Sequence, residues 1–137
     1  MDKQRVLFLC THNSARSQMA EGLLRFLAGD RFEVFSAGTV ATAVRPLAIR
    51  AMQQLGIDIS RQESKTLDRY LGEPFDLVIT VCDQANEACP VFPGARQRLH
   101  WSFDDPSQAT GSEAAQLAVY CRVRDEIRAR IEAELLG

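Results

Sequence analysis

Residues 5–17 have the sequence RVLFLCTHNSARS, and this stretch decides the fold. Residues 5–9 are a short, mainly apolar run, which is typical of a strand buried on both faces of a parallel sheet. A helix is predicted for residues 17–27, because four apolar side chains there recur with the spacing of one helical face, Met19, Leu23, Leu24 and Leu27. We therefore expect a strand, a short polar loop and a helix in succession.

Strand patterns and helix patterns alternate along the rest of the chain. Three further strands are predicted, at residues 32–37, 77–81 and 97–101. Two further helices are predicted, at residues 46–55 and 112–136. This alternation predicts an α/β fold, with a four-stranded parallel sheet and helices on both faces.

The composition is that of a single globular domain. A chain of 137 residues can bury one core and is too short for two. The net charge of −2 gives no electrostatic reason to expect binding to nucleic acid or to an anionic membrane. No apolar stretch approaches the roughly 20 residues that span a bilayer, and the apolar run before Cys10 is too short for a signal peptide. We expect one domain, residues 1–137, located in the cytoplasm.

Four cysteines offer thiol chemistry, Cys10, Cys82, Cys89 and Cys121. In the cytoplasm they are expected to be thiols at rest. They include no C-x-x-C pair, and His12 and His100 do not complete a zinc spacing, so neither a structural metal nor a cofactor is expected. Cys10 and Cys82 directly follow predicted strands, at the sheet edge where parallel α/β folds bind ligands. Some cysteines could instead be small core residues, which is the interpretation favoured for Cys121.

The loop between Cys10 and Ser17 has the features of an oxyanion site. A strand–loop–helix of this length directs several backbone N–H groups at one point, on the positive end of a helix dipole. The same field stabilises a Cys10 thiolate, and the Arg16 guanidinium can bind two anion oxygens at once. The predicted oxyanion-binding residues are Thr11, His12, Asn13, Ser14, Ala15, Arg16 and Ser17. The alternative is a buried cysteine, an exposed arginine and an N-capping serine.

This loop, together with motifs along nearly the whole chain, resembles the low-molecular-weight protein tyrosine phosphatase superfamily, and within it the thioredoxin-coupled arsenate reductases. The motifs are QMAEG at 18–22, SAG at 36–38, GIDIS at 56–60, VCD at 81–83, ACP at 88–90, HWSFDDP at 100–106 and RVRDEI at 122–127. His12 replaces a glycine of many phosphatases, and Ala15 replaces what is often a second loop cysteine. Neither change removes a catalytic group, because the cradle is built mainly from backbone N–H groups.

The resemblance implies that Asp105 is the general acid, which protonates the leaving oxygen. The sequence pattern alone does not distinguish Asp105 from Asp104. It also leaves open that Asp-Asp-Pro is only a turn.

The resemblance further implies a cascade through Cys82 and Cys89, with thioredoxin as the reductant. Reduction of arsenate takes two electrons, so a reductase of this type needs cysteines beyond Cys10. If residues 82–89 were helical, the two Cα atoms would be about 10.5 Å apart, whereas a disulfide tolerates roughly 4.4–6.8 Å. Formation of Cys82–Cys89 therefore requires this segment to be looped or to unwind. The alternative is that both cysteines are passive.

A potassium ion often binds beside the loop in this family, through residues matching Asn13, Glu21 and Ser36 and an aspartate where this chain has Lys65. We hypothesise that the Lys65 ammonium takes the potassium position, pairs with Glu21 and removes the dependence on the ion. The alternative is that Lys65 is an exposed surface lysine.

Two other functions are weighed against arsenate reduction. A low-molecular-weight protein tyrosine phosphatase usually has aromatic residues just after the Asp-Pro, but here Ser107-Gln108-Ala109 follows. Weak residual phosphatase activity is nevertheless compatible with a shared oxyanion cradle. A non-enzymatic oxyanion or redox sensor would use the same thiols without a general acid. A monomer is expected, and glutaredoxin or another thiol stays open as the reductant.

Overall fold

The structure, a computed structural model, describes residues 3–81 and 94–136. In these residues four parallel strands form one sheet in the order β2-β1-β3-β4. The strands are β1 (Gln4–Cys10), β2 (Phe32–Gly38), β3 (Phe75–Thr80) and β4 (Ala95–His100). The predicted four-stranded parallel sheet is confirmed. Cys82 and Cys89 lie outside the described residues.

The strand β1 is one of the two inner strands of the sheet, and its apolar residues are buried. Its residues Val6, Leu7, Phe8 and Leu9 are at most 1% exposed. Compared with the predictions, β3 and β4 each begin two residues earlier and end one residue earlier, at Phe75–Thr80 and Ala95–His100. The backbone bond from Phe75 N to Gly94 O, at 2.8 Å, aligns the starts of these two strands.

Three α-helices follow the predicted pattern with small changes at their ends. They are α1 (Arg16–Ala28), α2 (Pro46–Gln53) and α3 (Glu113–Ile131). Ser112 caps α3 as predicted, because its hydroxyl accepts a hydrogen bond from Ala115 N at 3.1 Å. The predicted continuation to residue 136 is a π-helical turn, Glu132–Leu136. None of the helices among residues 3–81 and 94–136 is long and apolar enough to cross a bilayer.

One face of the sheet packs against the helices. The helix α1 contacts β1, β2 and α3, and α2 contacts α1 and α3. The Phe8 ring lies 6.2 Å from the ring of Trp101, and Arg130 of α3 stacks over Trp101 at 5.6 Å. Phe8 therefore points toward α3.

A short 3₁₀ helix, Leu67–Arg69, covers part of the other face. It leads into Tyr70, whose ring packs 5.4 Å from that of Phe35. Phe35 is in register with Leu7 of β1, and neighbouring residues of a strand point to opposite faces. Helical segments therefore lie on both faces of the sheet, as predicted.

Candidate active site

The loop of residues 11–15 connects the end of β1 to the start of α1, as the sequence predicts. Cys10 at its base is buried, with 4% of its surface exposed. Gly38, which is in register with Cys10 on β2, permits the loop to approach closely. A Cβ atom at position 38 would lie 2.7 Å from the Thr11 carbonyl oxygen, so a larger residue would displace the loop.

The carbonyl groups of residues 10–14 all accept hydrogen bonds from outside the loop. Residues of the 39–45 segment donate to four of these carbonyls, those of Cys10, Thr11, His12 and Ser14. Gln18 Nε2 donates to the fifth, that of Asn13, at 3.0 Å. The described residues contain no cis peptide bond, and in a trans peptide the N–H points away from the C=O. Fixing the carbonyls outward thus turns the following N–H groups the other way, which is the arrangement that an oxyanion cradle needs.

Asn13 holds the loop in its shape. Its φ of 49° lies in the left-handed region, which non-glycine residues seldom adopt. Its Nδ2 donates to Ser17 Oγ at 2.8 Å and to Ser36 Oγ at 3.0 Å, while its Oδ1 accepts from Gln18 Nε2 at 3.0 Å and from Lys65 N at 2.9 Å. Since the side chain is completely buried, these four hydrogen bonds are shielded from water and stabilise the left-handed backbone conformation of Asn13.

Arg16 connects the loop to Asp105. Arg16 is 7% exposed, its Nη1 donates to Phe103 O at 3.1 Å, and its Nη2 lies 3.6 Å from Asp105 Oδ2. Asp104 instead forms an ion pair with Arg122 on α3, at 3.2 Å. The geometry therefore brings Asp105 into the site and directs Asp104 away from it, a distinction that the sequence pattern leaves open.

The environment of Asp105 favours its ionised form. Burial opposes ionisation, but hydrogen bonds from Ser107 N at 3.0 Å and Ser107 Oγ at 2.7 Å, together with the charge of Arg16, outweigh it. The pKa of the Asp105 carboxyl is consequently below its ordinary value. Ser107 is a site residue that the sequence reasoning missed as a functional group, although Asp-Pro-Ser is a recognisable turn pattern.

The alternative interpretation of the loop is wrong for the arginine and the serine, and only its buried Cys10 is observed. Arg16 is buried rather than exposed. The residue at the N-cap of α1 is Ala15, which makes no side-chain capping bond, and Ser17 lies inside the helix, where its Oγ accepts from Asn13. The Ser17 hydroxyl thus stabilises the loop through Asn13 and does not cap the helix.

Comparison with known proteins agrees with this geometry. The model of the low molecular weight phosphotyrosine protein phosphatase family matches residues 5–135. The chain belongs to this family. It is 49% identical to an arsenate reductase of Halalkalibacterium halodurans, over 96% of this chain and 95% of that protein.

Two solved structures show the same fold. An arsenate reductase in the phosphate binding state superposes with a TM-score of 0.82 and 32% identity, and the match covers 95% of both chains. A thioredoxin-dependent arsenate reductase of Corynebacterium glutamicum superposes with a TM-score of 0.73 and 30% identity, covering 97% of this chain and 60% of that one. The predicted fold of the low-molecular-weight phosphatase family is confirmed.

The residues that the resemblance matches to potassium ligands, Asn13, Glu21 and Ser36, lie close together, since Ser36 Oγ is hydrogen-bonded to both others. The predicted ion pair between Lys65 and Glu21 is wrong, because Glu21 Oε2 instead forms an ion pair with Arg25 Nη2 at 2.7 Å. Glu21 Oε1 accepts a hydrogen bond from Ser36 Oγ, and Asn13 Oδ1 is already bonded twice. The oxygens that would bind potassium therefore have other partners, so these residues do not fit the ion. Arg25 follows Glu21 by four residues on α1, a spacing from which the pair could have been predicted.

Lys65 is nevertheless no surface residue. It is 7% exposed, and its Nζ donates to Glu63 O at 2.5 Å. Burial lowers the pKa of the Lys65 ammonium, and the negative charge of Glu21 opposes this effect only in part. The alternative of an exposed lysine is thus wrong as well.

Of the three remaining cysteines, only Cys121 lies among the described residues. Val81, the residue before Cys82, is buried beside the end of β1, because Leu9 pairs with Thr80 and Val81 N donates to Leu9 O at 2.9 Å. Cys121 was expected in the core, but it is only half-buried, with its Sγ donating to Gln54 Oε1 at 3.3 Å. Cys121 also lines a pocket of about 490 Å³ between α2 and α3.

Proposed function

We propose that this protein is an arsenate reductase that uses Cys10 as the nucleophile, Cys82 and Cys89 as the electron-donating pair, and thioredoxin as the reductant. The observation that carries the proposal is the catalytic loop, in which outward-bonded carbonyls, a buried Cys10 and a buried Arg16 surround one point close to Asp105. The relatives named arsenate reductase, matched over nearly their whole length, support the choice of arsenate over a phosphate ester.

The first step is displacement at arsenic. The Cys10 thiolate attacks arsenate, an S–As bond forms, and one As–O bond breaks. The inward N–H groups and Arg16 stabilise the negative oxygens as the charge shifts. Asp105 delivers a proton to the departing oxygen, which leaves as water. The product is a thioarsenate ester on Cys10.

The second step transfers the electrons. The Cys82 thiolate attacks Cys10 Sγ, the S–As bond breaks, and its electron pair stays on arsenic, which departs as arsenite. A Cys10–Cys82 disulfide is left. The position of Val81 supports this step, because Val81 directly precedes Cys82 in the sequence and lies beside the end of β1, the strand that carries Cys10.

The third step regenerates Cys10. The Cys89 thiolate attacks Cys82 Sγ, Cys10 leaves as a thiolate, and the Cys82–Cys89 disulfide results. Two electrons from a dithiol of thioredoxin then reduce that disulfide. The thioredoxin-dependent arsenate reductase among the similar structures supports this choice of reductant.

Reduction is proposed to be independent of potassium. The Arg25 guanidinium supplies the positive charge next to Glu21, and Lys65 adds a second cation close by. The Lys65 hypothesis is therefore retained in a modified form, in which Arg25 makes the direct contact.

One assay tests the proposal against its main competitor. Arsenate-dependent consumption of NADPH is measured with thioredoxin and thioredoxin reductase, beside hydrolysis of para-nitrophenyl phosphate. We expect sustained NADPH oxidation and at most weak hydrolysis. Efficient hydrolysis with no arsenate-dependent oxidation would instead identify a phosphatase. Cys121→Ser is the matched control, because it removes a thiol away from the catalytic loop.

A further inference from the structure

A polar cavity of about 480 Å³ lies beside α1 and is separate from the catalytic loop. Residues of α1, β2 and the 58–70 segment line it, and residues 10–17 do not. Its lining includes four cations and three carboxylates, Arg25, Arg61, Lys65 and Arg69 with Glu21, Asp58 and Glu63. The cavity therefore carries one positive charge more than it carries negative charges.

Each carboxylate in the cavity already has partners. Glu21 is paired with Arg25 at 2.7 Å. The Glu63 carboxylate accepts hydrogen bonds from both terminal nitrogens of Arg69, at 3.1 and 3.3 Å. Asp58 accepts two hydrogen bonds from the residue two positions later, at 2.8 and 2.6 Å. These carboxylates are thus engaged by groups other than Lys65 and Arg61.

The cavity carboxylates act on Lys65 and Arg61 only by longer-range attraction, Glu21 and Glu63 on Lys65 and Asp58 on Arg61. Among residues 3–81 and 94–136, no ion pair within 4.0 Å is formed by either side chain. The Lys65 ammonium has three N–H donors, and Glu63 O accepts from it at 2.5 Å. Lys65 is also 93% buried, since 7% of its surface is exposed. A buried charge is costly unless it is paired, so the cavity favours a negative ligand.

We propose that this cavity binds a small tetrahedral oxyanion, of the class of sulfate or inorganic phosphate, between Lys65 Nζ and the Arg61 guanidinium. The anion accepts hydrogen bonds from the remaining N–H groups of Lys65, and it pairs with Arg61 from the open side of the cavity. It neutralises the excess charge that the protein's own carboxylates leave. This site is distinct from the cradle at Cys10 and needs no thiol.

The cavity is connected to the catalytic loop through Asn13. Lys65 N donates to Asn13 Oδ1 at 2.9 Å. Gln62, which also lines the cavity, donates to Gln18 Oε1 at 2.7 Å, and Gln18 Nε2 donates to Asn13 Oδ1. An anion that restrains Lys65 therefore acts on the residue that shapes the loop. Because coupling between two sites is reciprocal, occupancy of the cavity should change the affinity of the loop for its own oxyanion.

The test is a sulfate titration of the ¹⁵N-labelled full chain at constant ionic strength, followed by the amide shifts of residues 61–65. In Arg16→Ala, which weakens the catalytic cradle, we expect these shifts to remain saturable. Arg61→Gln and Lys65→Gln, each added to Arg16→Ala, should weaken that binding at least tenfold. Lys3→Gln, which removes an exposed cation at the other end of the sheet, should leave it unchanged. Arg61 is exposed, so its replacement tests the site without disturbing the core.

Two results would overturn the proposal. One is that Arg16→Ala abolishes the sulfate shifts at residues 61–65, because all of them then report on the catalytic loop. The other is equal affinity in Arg16→Ala with and without Arg61→Gln and Lys65→Gln. A repeat with inorganic phosphate shows which oxyanion the cavity prefers. Since binding is read without arsenate or thioredoxin, failure here would not affect the proposed reductase activity.

Discussion

The Arg16 guanidinium lies 3.6 Å from the Asp105 carboxylate, so the cation that is expected to hold the substrate is held in the free protein by the expected general acid. The same side chain donates to the Phe103 carbonyl at 3.1 Å. An incoming oxyanion competes with Asp105 for Arg16. As Arg16 turns toward the substrate, Asp105 loses a positive neighbour and faces a negative charge, and both changes raise its affinity for a proton. We therefore expect substrate binding to raise the pKa of the Asp105 carboxyl and favour its protonation.

Replacing the acid should slow the first chemical step. Asp105→Asn keeps the shape of the side chain and cannot deliver the proton, so we expect kcat to fall roughly 10²–10⁴-fold. Asp104→Asn is the matched control, because Asp104 pairs with Arg122 rather than Arg16. Thioredoxin-coupled NADPH oxidation measures both. Equal losses in the two variants would show that the Asp-Asp-Pro turn matters only for structure. An unchanged rate in Asp105→Asn would instead show that Asp105 is not the general acid.

The depressed pKa of Asp105 makes stability depend on pH in acid. The ionised carboxylate is stabilised in the folded protein, so its contribution is complete above the ordinary pKa of 3.8 and is lost as the pH falls through the lower pKa of the folded state. We expect the difference in unfolding free energy between the wild type and Asp105→Asn to be constant from pH 7 to about pH 5 and to shrink below about pH 4. Urea unfolding across this range gives the measurement. A difference that grows in acid would mean that the carboxyl pKa is raised.

Gly38 is expected to be essential for the shape of the cradle. In Gly38→Ala the new Cβ would lie 2.7 Å from the Thr11 carbonyl oxygen, so the loop must move and phosphate, as a competitive inhibitor, should bind at least tenfold more weakly. Gly56→Ala is the control, because its φ of 76° strains the backbone while its Cβ would meet no atom within 4 Å. The control should lose about 1 kcal/mol of stability and keep its inhibition constant. Similar inhibition constants in the two variants would contradict the close approach.

Cys89 is expected to be required for repeated turnover and dispensable for the first. In Cys89→Ser, Cys10 and Cys82 can still release one arsenite, but the disulfide between them cannot be passed on. Quenched-flow detection of arsenite should show about one equivalent per protein and then a stall. Sustained thioredoxin-driven turnover would refute the assigned order of the cascade. Cys121→Ser should behave as the wild type does.

Exchange of potassium for sodium should leave the rate nearly unchanged. The reason is that Glu21 and Asn13 already have protein partners where the family binds the ion. Arg25→Gln removes the internal cation and should both slow the enzyme and make its rate respond to potassium. Arg31→Gln, which removes a surface cation that stacks over Phe32, is the control. A large loss of rate on exchange of potassium for sodium in the wild-type protein would contradict the proposed independence of potassium.

Local sequence patterns were sufficient for the framework of this protein. The apolar run of β1, the helical stripe of α1 and the polar loop between them depend on neighbours a few residues apart, and the side-chain periods of 2.0 and 3.6 are written directly in the chain. The boundaries of β3 and β4 were less well predicted, because pairing with the adjacent strand determines where each one begins. Cys10 and Arg16 could be identified in the same way, since strand, loop and helix are consecutive.

Only the tertiary structure decided which distant groups meet those residues. Asp105 and Asp104 are adjacent in sequence and equivalent in chemistry, yet one reaches Arg16 and the other Arg122, because the turn at Pro106 directs their side chains apart. Lys65 was expected to pair with Glu21, but Arg25 is nearer on the same helix, and the burial of Lys65 leaves it facing a cavity instead. The sequence by itself determined the strand, loop and helix that carry Cys10 and Arg16, because local backbone geometry builds them. The partners of that loop depend on packing between segments far apart in the chain, and no local pattern encodes those distances.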